Sequence, residues 1–137
     1  METIEVRHLH KDRFSVRIRG HVLMVDQPVA DGGDDMGPTP TELFVAGLAS
    51  CVGFYAERFL RRHGLPADDL RIGCEFDFAT DRPARVSSVR LTVDVPAMLT
   101  PAQRIALDRV VDHCTVHNSI RQAPDVRIEL DVLERAA

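Results

Sequence analysis

The feature that most constrains this chain is the stretch from Leu43 to Ala56, Leu-Phe-Val-Ala-Gly-Leu-Ala-Ser-Cys-Val-Gly-Phe-Tyr-Ala, which is apolar nearly all round. Thr39-Pro40-Thr41-Glu42 stands in front of it. That tetrad joins an N-cap hydroxyl, a proline at the first helical position and a glutamate at the third, which is how a helix start is written. Arg58, Arg61, Arg62 and His63 follow, cations suited to the negative end of a helix dipole, and Gly64 with Pro66 supplies the stop. The sequence thus predicts a helix over 39–63. A surface helix keeps one apolar stripe, so a helix without a polar face is expected to be buried on every side. Gly47 and Gly53 inside it each give up about 1 kcal/mol relative to alanine, a cost that close packing against another backbone would explain.

The material to cover such a helix is strands. Ile4, Val6 and His8 alternate with Glu5, Arg7 and Leu9, and Phe14, Val16 and Ile18 alternate with Ser15, Arg17 and Arg19. His21 to Val25 reads as a third strand, giving an antiparallel β-meander over 1–28. A polar, glycine-rich loop over 29–38 follows, free to border a site. Beyond the central helix, Ile72, Cys74, Phe76 and Phe78, then Val89, Leu91, Val93 and Val95, alternate with polar neighbours and predict a β-hairpin over 70–96. Thr100-Pro101-Ala102-Gln103 repeats the capping pattern and opens a helix over 100–114, whose stripe is Ile105, Leu107, Val110, Val111 and Cys114. A helical turn around Val116 to Gln122 follows. Val126, Ile128, Leu130 and Val132 predict a last strand over 125–133. Strands and helices come in runs rather than strict alternation, so the fold class is α+β, in one domain spanning 1–137.

Charge and cysteine usage exclude several functions. Lys and Arg total 17 against 21 Asp and Glu, and a net charge of −4 argues against a phosphate backbone or an anionic membrane as partner. No uninterrupted apolar run reaches the roughly 20 residues of a bilayer span, and METIEVRHLH lacks a signal-peptide apolar region, so a cytoplasmic protein with no membrane partner is expected. Cys51, Cys74 and Cys114 are scattered, without a C-x-x-C, which is no disulfide framework. Cys74 on an apolar strand face reads as core. Cys51, mid-helix, is either a small apolar packing residue or a reactive thiol needing a nearby cation to offset desolvation. Cys114-Thr115-Val116-His117 is a second thiol with a neighbouring imidazole, half a metal site, or the end of a helix stripe; no second ligand pair completes a metal site, and none is assigned. His8, His10, His21, His63 and His113 share no spacing and read as surface or interface residues.

Gly37-Pro38-Thr39-Pro40-Thr41-Glu42-Leu43-Phe44, then Leu48-Ala49-Ser50-Cys51, then Cys114-Thr115-Val116-His117, together resemble the OsmC/Ohr superfamily, the osmotically inducible and organic hydroperoxide resistance proteins. The resemblance implies antiparallel sheets around a long buried helix, in an intertwined homodimer with sites at the subunit interface. It implies that Cys51 attacks an organic hydroperoxide and becomes a sulfenic acid, that Cys114 captures it as a disulfide, and that a thiol or lipoyl reductant resets the pair, with no cofactor. Phe44, Leu48 and Phe54 would line an apolar substrate pocket. Peroxidase members place a glutamate ten positions before the reactive cysteine, to hold an activating arginine. That position here is Thr41, beside Glu42, which has a competing capping role. Arg13 best matches the arginine's place, whereas Arg17 and Arg19 read as exposed strand charges. Thr115 stands where the family usually has proline. Two functions follow: a thiol-dependent peroxidase using Cys51, Cys114, Arg13 and Glu42, or a non-catalytic OsmC-like dimer binding a small apolar or thiol ligand at its interface.

Overall fold

The computed structural model describes residues 2–133. Strands β1 (Ile4–His10), β2 (Arg13–Ile18) and β3 (His21–Val25) form an antiparallel sheet in the order β1-β2-β3. Two-residue turns at Lys11-Asp12 and Arg19-Gly20 join them, with Lys11 at φ 50 and Arg19 at φ 54, the positive φ at the first turn residue by which tight hairpin turns match the right-handed twist of their strands. Helix α1 (Pro40–Arg62) follows, then the hairpin of β4 (Arg71–Phe78) and β5 (Val86–Asp94), then α2 (Pro101–Asp112) and α3 (Thr115–Arg121). In the hairpin, Ile72 faces Val93 and Cys74 faces Leu91 across the ladder. Both long helices open with a complete capping box, Thr39 with Glu42 and Thr100 with Gln103.

The core runs along α1. Ala56, Phe59 and Leu60 pack with Leu107 of α2 at one end, and Leu48 and Val52 pack with Cys114 at the other, where Ile72, Val89 and Leu91 of the hairpin close the layer. Leu60 is fully buried, so Leu60→Ala would remove contacts worth about 2–5 kcal/mol. By length and hydropathy α1 would pass for a membrane span; here it is the helix on which β4, β5, α2 and α3 pack.

Burial on every side of α1 is not observed in one protomer. Val45, Leu48, Val52, Ala56, Phe59 and Leu60 are buried, but Phe44 and Phe54 are 48% and 53% exposed. The reason is that the meander does not fold over α1: every residue of β1 is exposed, and the contacts of α1 run to the hairpin and the other helices. Neither glycine packs against another backbone as expected: an added Cβ at Gly53 would sit 3.2 Å from a side-chain atom, Ile72 Cγ1, and Gly47 has nothing within 4 Å. The strand expected over 125–133 is not formed either. Val126, Ile128, Leu130 and Val132 are 72%, 86%, 88% and 79% exposed, and among the described residues this segment joins no sheet. An alternating sequence specifies a strand only where a neighbour accepts its ladder, and the protomer offers none here. The second helix also stops earlier than its apolar stripe, at Asp112, so that Cys114 opens α3 instead of closing α2.

The loop between β3 and α1 is a built structure, not merely a polar border. Asp26 is 1% exposed and accepts hydrogen bonds from the backbone N–H of Gln27 at 2.8 Å and Met36 at 3.0 Å, while the Asp26 N–H donates to the Pro38 carbonyl at 3.1 Å. The loop folds so closely that a Cβ at Gly33 would run into the Gln27 carbonyl, and one at Gly37 into that of Met24. The Met36 N–H holds the Asp26 carboxyl below its ordinary value of 3.8, against the opposing pull of burial, and the N–H groups of Gln27 and Asp34 and the Arg13 charge add to the effect. A depressed carboxylate contributes stability that is complete above the unfolded value and is lost as pH falls through the lower folded one. The melting temperature is therefore expected to drop as pH is lowered from about 5 to below 3.8. Asp26→Asn, having nothing to titrate, should start lower and stay flatter; parallel thermal melts of both proteins would refute this assignment.

Candidate active site

Cys51 lies on α1, half-buried, one turn before the chain's one tyrosine, Tyr55. Its sulfur accepts the backbone N–H of Val116 at 3.5 Å. Cys114, fully buried, is the N-cap of α3, and its sulfur accepts the N–H of His117 at 3.4 Å. Two thiols far apart in sequence thus share the donors of one helix start. Cys51 also packs against the cluster that Cys114 forms with Leu48 and Val52. Burial is the main reason the Cys114 thiol is pushed up from its ordinary value; the His117 N–H opposes the rise, and the Cys51 thiol adds to it. Cys114 therefore stays protonated near neutral pH.

Around the thiols, the Tyr55 hydroxyl lies 2.9 Å from the Thr115 hydroxyl, tying α1 to the start of α3. The His117 imidazole Nδ1 is 3.8 Å from Asp112 Oδ1, and Asp112 also accepts a 2.8 Å hydrogen bond from Arg121, the chief cause of its lowered carboxyl value. Thiol, imidazole and carboxylate are neighbours here. No metal geometry is built from Cys114 and His117, because the sulfur faces the His117 backbone and the ring faces Asp112. Sequence reasoning did not single out Tyr55 or Asp112. The signal for Tyr55 was present in its spacing of four from Cys51, which puts both on one helix face.

Arg13 and Glu42 are not brought to Cys51 within the protomer. Arg13 stands at the start of β2, its guanidinium donating to Asp34 at 3.2 Å and its Nε 3.8 Å from Asp26, an ion-pair distance too long for a hydrogen bond. That Nε is buried without a hydrogen-bond partner. Glu42 closes the capping box: its carboxylate accepts the Thr39 N–H at 2.9 Å, and its own N–H donates to the Thr39 hydroxyl at 3.1 Å. Phe44 and Leu48 line an open cleft of about 890 Å³ between α1, β5, α2 and α3, with Val52, Val89, Leu91 and His117 among its other walls. Phe54 lies outside that cleft, edge-on to Tyr55 at 5.4 Å and capped by the Arg58 guanidinium 5.3 Å from its ring centre. Neither cysteine lines the cleft, but Leu48 and Val52 belong both to its wall and to the cluster around Cys114.

An α+β protomer with two antiparallel sheets and a long central helix is a fold that known structures share. The family model described as OsmC-like protein matches residues 32–129, and the chain belongs to that family. Its fold is that of an osmotic stress induced and detoxification response protein from Psychrobacter arcticus, at a TM-score of 0.78 and 23% identity over 87% of this chain and 88% of that one. It is also similar to an organic hydroperoxide resistance protein OsmC from Legionella pneumophila, with a TM-score of 0.66 and 18% identity over 88% and 89% of the two chains. A third likeness is the organic hydroperoxide resistance protein OhrB of Bacillus subtilis, with a TM-score of 0.63 and 20% identity over 96% and 98%. At these identities the likeness is one of fold. No curated protein is significantly similar in sequence.

Proposed function

We propose that the protein is a thiol-dependent peroxidase that reduces organic hydroperoxides, with Cys51 as the attacking thiol and Cys114 as the resolving one. The observation that carries this reading is the convergence of the two thiols on the start of α3, where each sulfur accepts one of two successive backbone N–H groups and Cys51 packs against the cluster of Cys114. Of the pair, Cys51 is the less buried and is the one a substrate can reach. Its thiolate attacks the terminal peroxide oxygen, the O–O bond breaks, the alcohol leaves and Cys51 becomes a sulfenic acid. The Cys114 sulfur then attacks Cys51, the S–S bond forms, and the sulfenic oxygen leaves as water. A small thiol or lipoyl reductant opens the disulfide and is itself oxidised. The apolar wall of Phe44 and Leu48 suits an organic rather than an inorganic peroxide.

The working unit in this reading is a homodimer. The protomer presents 11177 Å² to solvent, whereas a folded monomer of 15.3 kDa presents about 7,100 Å². The excess comfortably supplies the about 2,000–5,000 Å² that obligate dimers bury. It is concentrated where elements lack partners: the bare meander, Phe44 and Phe54 on α1, and the alternating segment 125–133. Arg13 is the proposed activating guanidinium, which requires that the meander of one protomer lie against α1 of the other.

Glu42 acts as a cap in this scheme. Glu42→Gln keeps both capping-box hydrogen bonds and is expected to change neither melting temperature nor turnover by more than about twofold, while Glu42→Ala should cost about 1 kcal/mol of stability. A tenfold loss of turnover in Glu42→Gln at unchanged melting temperature would instead give its charge a part in the chemistry. One observation favours a second reading, a dimer that binds a small apolar or thiol-bearing molecule without turnover: among the described residues, Arg13 pairs with Asp34 and Asp26 and not with Cys51. Treating reduced protein with tert-butyl hydroperoxide separates the two. Loss of two free thiols per chain supports the peroxidase, and their persistence the binding protein.

A further inference from the structure

Cys114 is carried on a short connection, with only His113 between the last residue of α2 and the cysteine itself. Its sulfur can meet Cys51 only if that connection is held against α1. Apolar packing does part of this, through Val111 and Val116 in the cluster around Leu48, Val52 and Cys114. Beside the Val116 N–H that Cys51 accepts, α1 and α3 are joined here by a hydrogen bond between two side chains, Tyr55, a single turn beyond Cys51, and Thr115, the residue after Cys114. Thr115 is the first residue of α3, and its hydroxyl takes no part in the cap, which Cys114 provides. The hydroxyl is therefore free for Tyr55.

We propose that Tyr55 and Thr115 are positioning residues for disulfide formation, a clasp that fixes the α3 start on α1 and sets the effective concentration of the Cys114 thiol at Cys51. The inference rests on the proposed redox pairing of these two cysteines, but it concerns the equilibrium between thiols and disulfide and not the peroxide that drives it. Neither residue touches substrate. Each acts through the placement of Cys114, so removing either hydroxyl loosens the connection and leaves the attacking thiol as it was.

The geometry also distinguishes a hydrogen bond from general stiffness. Thr115 sits at the first helical position, where proline's fixed φ and missing N–H are tolerated, and Cys114 before it has φ −67 and ψ 154, the extended conformation that a residue preceding proline adopts. Thr115→Pro would restrain the helix start without the clasp. In that background Tyr55→Phe should have no further effect, because its partner is already gone.

The test is the equilibrium between the Cys51–Cys114 disulfide and the two thiols in glutathione buffers of graded ratio, read by mass spectrometry after alkylation. Tyr55→Phe and Thr115→Val should each lower the effective concentration roughly fivefold, the ratio expected for one net hydrogen bond. The double variant should be no worse than either single one, since both break the same bond. Thr115→Ser should restore the wild-type value. Equal effective concentrations in all variants, additive losses, or no disulfide in the wild type at any ratio would each overturn the clasp. A wild type that forms the bond in glutathione, with the expected variant pattern, yet ignores organic hydroperoxides would leave the clasp standing and remove the peroxidase reading alone.

Discussion

Cys51→Ser is expected to abolish organic hydroperoxide consumption, a fall on the order of 10³-fold or more, because an alkoxide nucleophile is not available near neutral pH and no other thiol occupies its place. Cys74 cannot substitute: it sits on β4 opposite Leu91, its thiol pushed up by burial and, to a lesser degree, by the Glu75 charge. The companion variant carries more information. Cys114→Ser should consume one equivalent of cumene hydroperoxide per chain in a single burst and then stop, with a sulfenic acid at Cys51 that dimedone labels. Cys114 is fully buried, and serine is its near isostere, so the fold should survive. Continued turnover by Cys114→Ser with no label at Cys51 would show that Cys114 takes no part in resolution. Unchanged turnover by Cys51→Ser would end the peroxidase assignment altogether.

The second large effect concerns association. The protein should sediment at twice 15.3 kDa at micromolar concentration. Phe54→Glu, which places a charge on the exposed aromatic face of α1, should drive it to monomers that unfold at lower temperature, because the meander has no core of its own. Mixing variants tests the shared site directly. Dimers reassembled from Cys51→Ser and Arg13→Ala protomers place the intact Cys51 of one chain beside the intact Arg13 of the other if the arginine reaches across. Each variant alone should then be nearly inactive, and the mixture should recover up to a quarter of wild-type turnover, from one intact site in each of the half of the dimers that are hybrid. A mixture no more active than its components would place the activation within a single protomer or with a different group.

How far the sequence foretold this arrangement depends on how local each signal was. The two capping boxes mark the starts of α1 and α2 because a cap is a contact among four consecutive residues, fully contained in Thr39 to Glu42 and Thr100 to Gln103. The meander and hairpin were legible through period-two alternation, which encodes the two faces of a sheet. The family motif carried Cys51 and Cys114 together before any distance was known. What was not legible depended on partners distant in the chain. The alternation over 125–133 stated a preference for strand but could not say whether a neighbouring edge existed. The apolar surround of α1 was an accurate record of hydrophobicity, yet one protomer covers only the face of Val45, Leu48, Val52 and Ala56. Arg13 was singled out by the resemblance, from its place at the turn between the first two strands, but the Asp26 and Asp34 carboxylates that hold it come from a loop whose fold depends on backbone contacts at Gly33 and Gly37. The link from Tyr55 to Thr115 lay hidden for the same reason, since each hydroxyl is ordinary until the two helices meet.

Helix α3 begins on a sulfur atom. Most helices start on an oxygen that no reagent consumes, whereas Cys114 offers its hydrogen-bond acceptor from the very atom that alkylation, heavy metals or oxidation would alter. Whatever changes that atom withdraws support from the His117 amide, just as a change at Cys51 would withdraw it from the Val116 amide. Amide hydrogen exchange at these two positions is accordingly a built-in gauge of the two thiols' chemical states, His117 for Cys114 and Val116 for Cys51, readable without a substrate or a coupled assay.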